Sequence, residues 1–174
     1  MRPFTRADRD QLVVLQAEAS SWWFPLRRGM TAEESEKFLD EIIGEYDSDS
    51  SPSLHAVTER DSGVLMGWGG LSVPHFLPEV LPAVEVGWRL GSMFRGHGYA
   101  TELGAAALDW GFTTLALELV VSIFEPENVS SGRVMNRLGF DSGFETVHPT
   151  RQLPLRVRGL TREDWSRVRR QPLS

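Results

Sequence analysis

The sequence contains no cysteine. That excludes disulfides, thiolate metal sites and a cysteine nucleophile, and it accords with a reducing, cytoplasmic location. No apolar run approaches the ~20 residues needed to cross a bilayer. The opening MRPFTRADRDQL also lacks the apolar stretch of a secretory signal, so no membrane association is expected. Basic residues are outnumbered, 18 against 24 acidic, and the net charge of -6 provides no electrostatic case for binding nucleic acid. No H-E-x-x-H or clustered ligand set is present, so no metal is expected. Gly70-Leu71-Ser72-Val73-Pro74 falls short of the G-x-S-x-G elbow of a hydrolase.

What remains is a chain of 174 residues, 41% hydrophobic and 24% charged, which fits one soluble domain spanning residues 1–174. Residues 2 to 6 read as a short strand, followed by a capping box at Thr5-Arg6-Ala7-Asp8 and a helix with Leu12, Leu15 and Ala19 on one face. Thr31-Ala32-Glu33-Glu34 opens a second helix, with Phe38, Leu39, Ile42, Ile43 and Tyr46 as its apolar stripe. SLHAVTER and GVLMGWGGLSV flank Asp61-Ser62-Gly63 as a hairpin, and AVEVGWRL is a third strand. A helix over 99 to 114, a strand over 117 to 125 and a helix over 128 to 138 capped by Gly139 follow. Strands near 144 to 148 and 152 to 158 precede a short arginine-rich helix. Charge is uneven: residues 33 to 49 hold eight acids against Lys37, and residues 151 to 170 hold seven arginines against Glu163 and Asp164. A solvated face is the plainer reading of each block, with a partner site as the alternative.

In MFRGHGYATELGAAAL, residues 93 to 108, Arg95-Gly96-His97-Gly98 separates an apolar strand from an apolar helix. A plain corner is one reading, because glycine reaches backbone angles that other residues avoid. An anion site is the other. A strand entering a helix through a glycine loop leaves the first helical N–H groups unpaired and aimed at the loop, where aligned peptide dipoles favour negative charge. Gly96 and Gly98 have no side chain to block a phosphate, and Arg95 adds a charged donor. Thr101 stands where a dinucleotide fingerprint needs its third glycine, and no lysine completes a P-loop. Downstream, NVSSGRVMNRLGF opens a second helix after the next strand and brings Asn128, Ser131 and Arg133 beside the corner. Two helix N-termini on neighbouring strands make a crevice.

The combination of VEVGWRL, RGHGYATE and N-x-x-S-x-R-V-M-x-R-L-G-F resembles the GNAT N-acetyltransferases, and more narrowly the branch containing the ribosomal-protein alanine N-acetyltransferases of the RimJ/RimL type. The resemblance runs from RPFTRADRDQL to HP…LPLR and LTREDW and is strongest over residues 84 to 140. It implies an α/β (α+β) fold, a single domain with a mixed, mostly antiparallel central sheet of about six or seven strands and about four or five helices. A splayed strand pair would form the crevice for acetyl-CoA, the expected cosubstrate. By the same resemblance, Arg95, Gly96, His97, Gly98, Tyr99, Ala100 and Thr101 would cradle its pyrophosphate. Backbone groups of Trp88, Arg89 and Leu90 would pair with the pantetheine arm, with Asn128, Ser131 and Arg133 beside it.

Acetyl transfer to an amine needs a neutral amine, a stabilised oxyanion and a protonated leaving thiolate. The resemblance makes Glu85 the first candidate base, with a solvent-facing acid as the plain alternative. His148 is second, its ordinary pKa near ~6.5 suiting proton work at neutral pH. A backbone N–H near Leu90 would hold the oxyanion. Many members donate the proton from a tyrosine four residues before the Gly-Phe pair; here that position is Met135, and Ser131 is the replacement unless it merely caps its helix. Phe94-Arg95 stands where relatives carry Trp-Gly, and the segment around Pro149 to Pro154 is shorter than in close relatives. His55 and His75 have no partner pattern.

The expected partner is an amine: a peptide or protein N-terminus, an amino acid or a small amine. Trp22, Trp23 and Phe24 and the acidic segment 33 to 49 are candidates for its wall, the acids attracting a cationic group. A strand edge or this aromatic cluster would support a homodimer. The rival from another class is a catalytically silent acyl-CoA-binding or regulatory module.

Overall fold

The computed structural model describes residues 1–19, 28–46 and 51–170. Trp22, Trp23, Phe24, Asp47 and Asp49 therefore lie outside the described residues. Residues 2 to 6 do not form the expected strand. Arg2 and Ala56 exchange backbone hydrogen bonds of 3.1 and 2.9 Å as a single bridge, and a 3-10 turn over Arg6–Asp8 follows at once. Buried Asp8 sets that turn, accepting the Thr5 N–H at 2.8 Å and the Arg2 guanidinium at 2.5 Å. Helix α1 is Arg9–Gln16 and α2 is Ala32–Glu45. The α2 box forms as read: the Glu34 N–H donates to Thr31 Oγ1 at 3.2 Å while the Thr31 N–H donates to the Glu34 carboxylate at 2.8 Å.

Strands β1 (Leu54–Thr58) and β2 (Leu65–Ser72) form the antiparallel hairpin, and β3 (Val84–Leu90) pairs antiparallel with β2 along its length. Helix α3 (Tyr99–Thr113) leads to β4 (Leu119–Phe124), and α4 (Val129–Leu138) to β5 (Gly143–Val147). Strand β6 (Pro154–Thr161) and α5 (Arg162–Arg170) end the described chain. The six strands lie in the order β1-β2-β3-β4-β6-β5, and β3–β4 is their parallel pair. Among the described residues the α/β fold thus forms with a mixed, mostly antiparallel six-stranded sheet and five helices, and the last strand is inserted beside β4.

Alternation along β4 divides the core. Val120 and Phe124 point to the face packed by α3, α4 and α5, where Leu108, Met135, Leu138 and Phe140 are buried. Val121 and Ile123 point to the opposite face, covered by Leu155, Val157 and Leu77. On that second face α1 and α2 cover the hairpin end, with Phe38 against Trp68 at 5.1 Å between ring centroids. The arginine block is largely spent internally: Arg156 pairs with Glu145, Arg167 with Glu163 and Asp164, and Arg162 bonds the Leu117 carbonyl.

Strands β3 and β4 pair at only two positions, Val84 with Val120 and Glu85 with Val121. Beyond them the strands part. The next β4 residue, buried Ser122, donates from Oγ to the Val86 carbonyl at 3.1 Å, so a side chain replaces the missing ladder bond. Ser122→Ala should leave that carbonyl buried without its donor and cost about 1–3 kcal/mol. Urea unfolding measures this, and a midpoint equal to wild type would refute it.

Candidate active site at the splayed strands

Each of the two splayed strands ends where a helix begins. After β3 a 3-10 turn, Ser92–Phe94, brings the chain to Arg95-Gly96-His97-Gly98, all four exposed, and α3 starts at Tyr99. Gly96 and Gly98 have φ of 82° and 87°, the left-handed region where glycine carries no penalty. No described atom lies within 4 Å of the Cβ that either glycine would bear. The corner therefore needs glycine for its backbone angles and leaves open space in front. The first closed bond at the helix start runs from Thr101 N–H to the Gly98 carbonyl at 2.9 Å, so the preceding Tyr99 and Ala100 amides belong to the unpaired first turn.

Arg95 is less simple than the sequence suggests. Its Nε donates to the Leu90 carbonyl at 3.2 Å, tying the loop back to the end of β3. Glu18 of the segment after α1 braces the same turn, accepting the Ser92 N–H at 2.9 Å. His97 and Tyr99 have their rings 5.9 Å apart at the loop's surface.

At the end of β4, Asn128 caps α4: its Oδ1 accepts the Ser131 N–H at 3.1 Å. The capping task belongs to Asn128 rather than to Ser131, which is half-buried in the first turn, while Arg133 is exposed. Met135 is 1% exposed in the core, consistent with its having no part in proton transfer.

Glu85 occupies the vertex, the last β3 residue paired with β4. It is half-buried beside the Ile123 backbone, whose hydrogen-bonding pull favours the charged carboxylate. Burial pushes the Glu85 carboxyl up to about 8, against the opposing pull of that hydrogen bond and of the Arg89 charge. Arg89 lies below its ordinary value, from burial first and then from the Arg95 charge. It remains cationic at neutral pH. Strand alternation places Glu85, Gly87 and Arg89 on the face opposite α3, and Trp88 on the α3 side against the core. This pattern, readable in VEVGWRL, puts the Arg89 side chain on the same face as Glu85, where only its backbone was expected to act.

His148 lies in the β5–β6 turn, buried, with its ring stacked on Phe76 at 5.3 Å. Its Nδ1 accepts from the Thr150 and Arg151 N–H groups, each at 3.3 Å, which fixes Nδ1 as the unprotonated nitrogen. Burial, then the Arg151 charge, lowers its pKa. Two of the acids expected to draw a cationic amine pair within the N-terminal helices: Glu34 with Arg28 and Thr31, and Glu36 with Arg9.

The family model described as "Acetyltransferase (GNAT) domain" matches residues 1–141. The chain belongs to the GNAT acetyltransferase family. An acetyltransferase of this family from Bacillus anthracis aligns with a TM-score of 0.75 at 20% identity, covering 93% of each chain. A spermidine N-acetyltransferase from Vibrio cholerae, in complex with CoA and spermine, aligns at 0.71 and 20% identity over 95% of this chain and 96% of its own. A ribosomal-protein-S5-alanine acetyltransferase from Vibrio fischeri aligns at 0.72 and 18% identity over 94% and 93%. At these identities the three share the GNAT fold. Curated relatives from Bacillus match at 36% and 39% identity, but the chain spans only 32% and 54% of their length.

The raised Glu85 carboxyl carries a stability signature. Between its ordinary value of 4.5 and about 8, the folded state holds a proton that the unfolded state releases. Its stabilising contribution is therefore full below 4.5 and lost as pH rises through about 8. Relative to Glu85→Gln, the wild type should lose stability between those limits. Denaturant midpoints at both ends of the window test this, and parallel curves for the two proteins would refute it.

Proposed function

We propose that this GNAT chain is an acetyl-CoA-dependent N-acetyltransferase that moves the acetyl group directly to a primary amine. The observation that carries the reading is the placement of a titratable carboxyl, Glu85, at the vertex of a strand splay whose mouth is an open glycine corner. Residues Arg95 to Thr101 would hold the pyrophosphate through the backbone amides of the corner and the first turn of α3. The edge of β3 from Trp88 to Leu90, beyond the end of the β4 ladder, would hold the arm, with Asn128 and Arg133 on the other side. No metal is required. The family supports acetyl-CoA as donor, and the fold neighbour bound to CoA supports it further.

In this reading Glu85, ionised, takes the proton of the attacking ammonium. A carboxyl near 8 is well matched to a peptide α-amine near ~7.8, whereas a lysine-like amine near ~10.4 would make the transfer uphill by about 3 kcal/mol. The match favours peptide-like α-amines. The RimJ/RimL-type motif supports the same class. The Leu90 region would supply the oxyanion donor, and Ser131 would return a proton to the thiolate. His148 is assigned to its turn, since the nitrogen that a base needs is already bonded by backbone amides.

Two measurements test the reading. Calorimetric titration should show acetyl-CoA binding to the wild type and loss of binding in Gly98→Val, with circular dichroism confirming that the variant is folded; no binding by the folded wild type would end the proposal. Acetylation kcat/KM should rise with pH to a plateau above about 8, and Glu85→Gln should lose that limb along with about 10²–10⁴ of the rate. An unchanged profile in the variant would remove Glu85 as base.

A further inference from the structure

Arg89 is two residues beyond Gly87 and four beyond Glu85 on the same face of β3. Among the described residues no atom stands within 4 Å of the Cβ that Gly87 would carry, so the strand has a gap between the two charged side chains. The Arg89 guanidinium lies over the Trp68 ring, 5.3 Å from its centroid, and Trp68 is Arg89's cross-strand partner on β2. Phe38 packs on the same indole, whose buried Nε1–H has no acceptor among the described residues. A buried donor without an acceptor is uncommon in folded proteins and points to a polar atom that arrives with a ligand. One end of the gap therefore offers a proton acceptor, and the other offers a cation and an N–H.

The geometry points to a small amino-carboxylate of about dipeptide length as the acceptor, its amine toward Glu85 and its carboxylate toward Arg89 and Trp68. This rests on the acetyltransferase reading and narrows it. Four strand residues separate the Cα atoms of Glu85 and Arg89 by roughly 13 Å. The reach of two side chains shortens that span to one that a dipeptide bridges better than a single α-amino acid, whose charges are one carbon apart. Of the acids that would draw a polyamine, Glu34 and Glu36 are tied to Arg28 and Arg9. An arginine clamped on an aromatic ring is oriented before the ligand arrives, which suits it to hold a carboxylate. In the reaction the ammonium first gives one proton to Glu85, the neutral amine nitrogen bonds the acetyl carbon, the carbon–sulfur bond breaks, and the second nitrogen proton, lost as the amide forms, reaches the departing thiolate by way of Ser131 so that CoA leaves as the thiol. The carboxylate at Arg89 takes no part in bond changes.

The test compares free dipeptides with their C-terminal amides, single amino acids and polyamines as acceptors, following release of the CoA thiol; the chain has no cysteine to contribute background. Free dipeptides should exceed their amides by about 10- to 100-fold in kcat/KM, through KM. Arg89→Met should abolish that preference, and Arg89→Lys should retain part of it. Gly87→Leu, filling the gap, should raise KM for dipeptides while leaving calorimetric acetyl-CoA affinity unchanged. Amides or polyamines equal to or better than free dipeptides would overturn the inference, as would a preference that survives Arg89→Met, or acetyl-CoA binding with no dipeptide acetylated. In those cases the acetyltransferase reading stands on its own acetyl-CoA result. A folded wild type that binds no acetyl-CoA overturns both.

Discussion

The parting of β3 from β4 after two paired residues is the feature on which the site depends. A parallel ladder opened in mid-sheet would strand backbone groups away from water, at a cost comparable to a lost hydrogen bond for each. Here a side chain takes up the task at the point of divergence: the Ser122 hydroxyl bonds the Val86 carbonyl, and the Glu85 carboxyl lies beside the Ile123 backbone. The opening is thus a stable element of the sheet, and both strands run outward from it to a helix N-terminus.

That origin also explains why the charges of the site behave as they do. Glu85 sits at the vertex as the last β3 residue paired with β4, and burial there raises its proton affinity. Arg89 projects from the same face and is held over Trp68, near enough to Arg95 for their charges to oppose one another. Most charge elsewhere is spent on structure. The acids at the start of α2 cap and brace that helix, and the arginines after Arg151 tie β6 and α5 to their neighbours.

Much of the fold was legible because its signals are local. A threonine followed three residues later by an acid opens α2, Gly139 with a φ of 86° closes α4, and the glycine corner precedes α3 as its composition requires. Residues 2 to 6 were misread because extended propensity there loses to Asp8, whose carboxylate turns the chain through bonds to Thr5 and Arg2. The placement of β6 between β4 and β5 had no local signal at all. His148 carried the right chemistry for a base, but the backbone amides of its own turn already hold its acceptor nitrogen.

By itself the sequence determined the order of elements, the glycine corner, the absence of thiol chemistry and, through the period-two alternation of VEVGWRL, which β3 residues share a face. Only the tertiary structure decided how those residues behave. Hydrogen-bond partners and burial come from segments distant in the chain: Ile123 beside Glu85, Trp68 beneath Arg89, Val86 opposite Ser122. A carboxyl's proton affinity depends on the water it loses and the charges it meets. Neither quantity belongs to a residue until the sheet has brought its neighbours together.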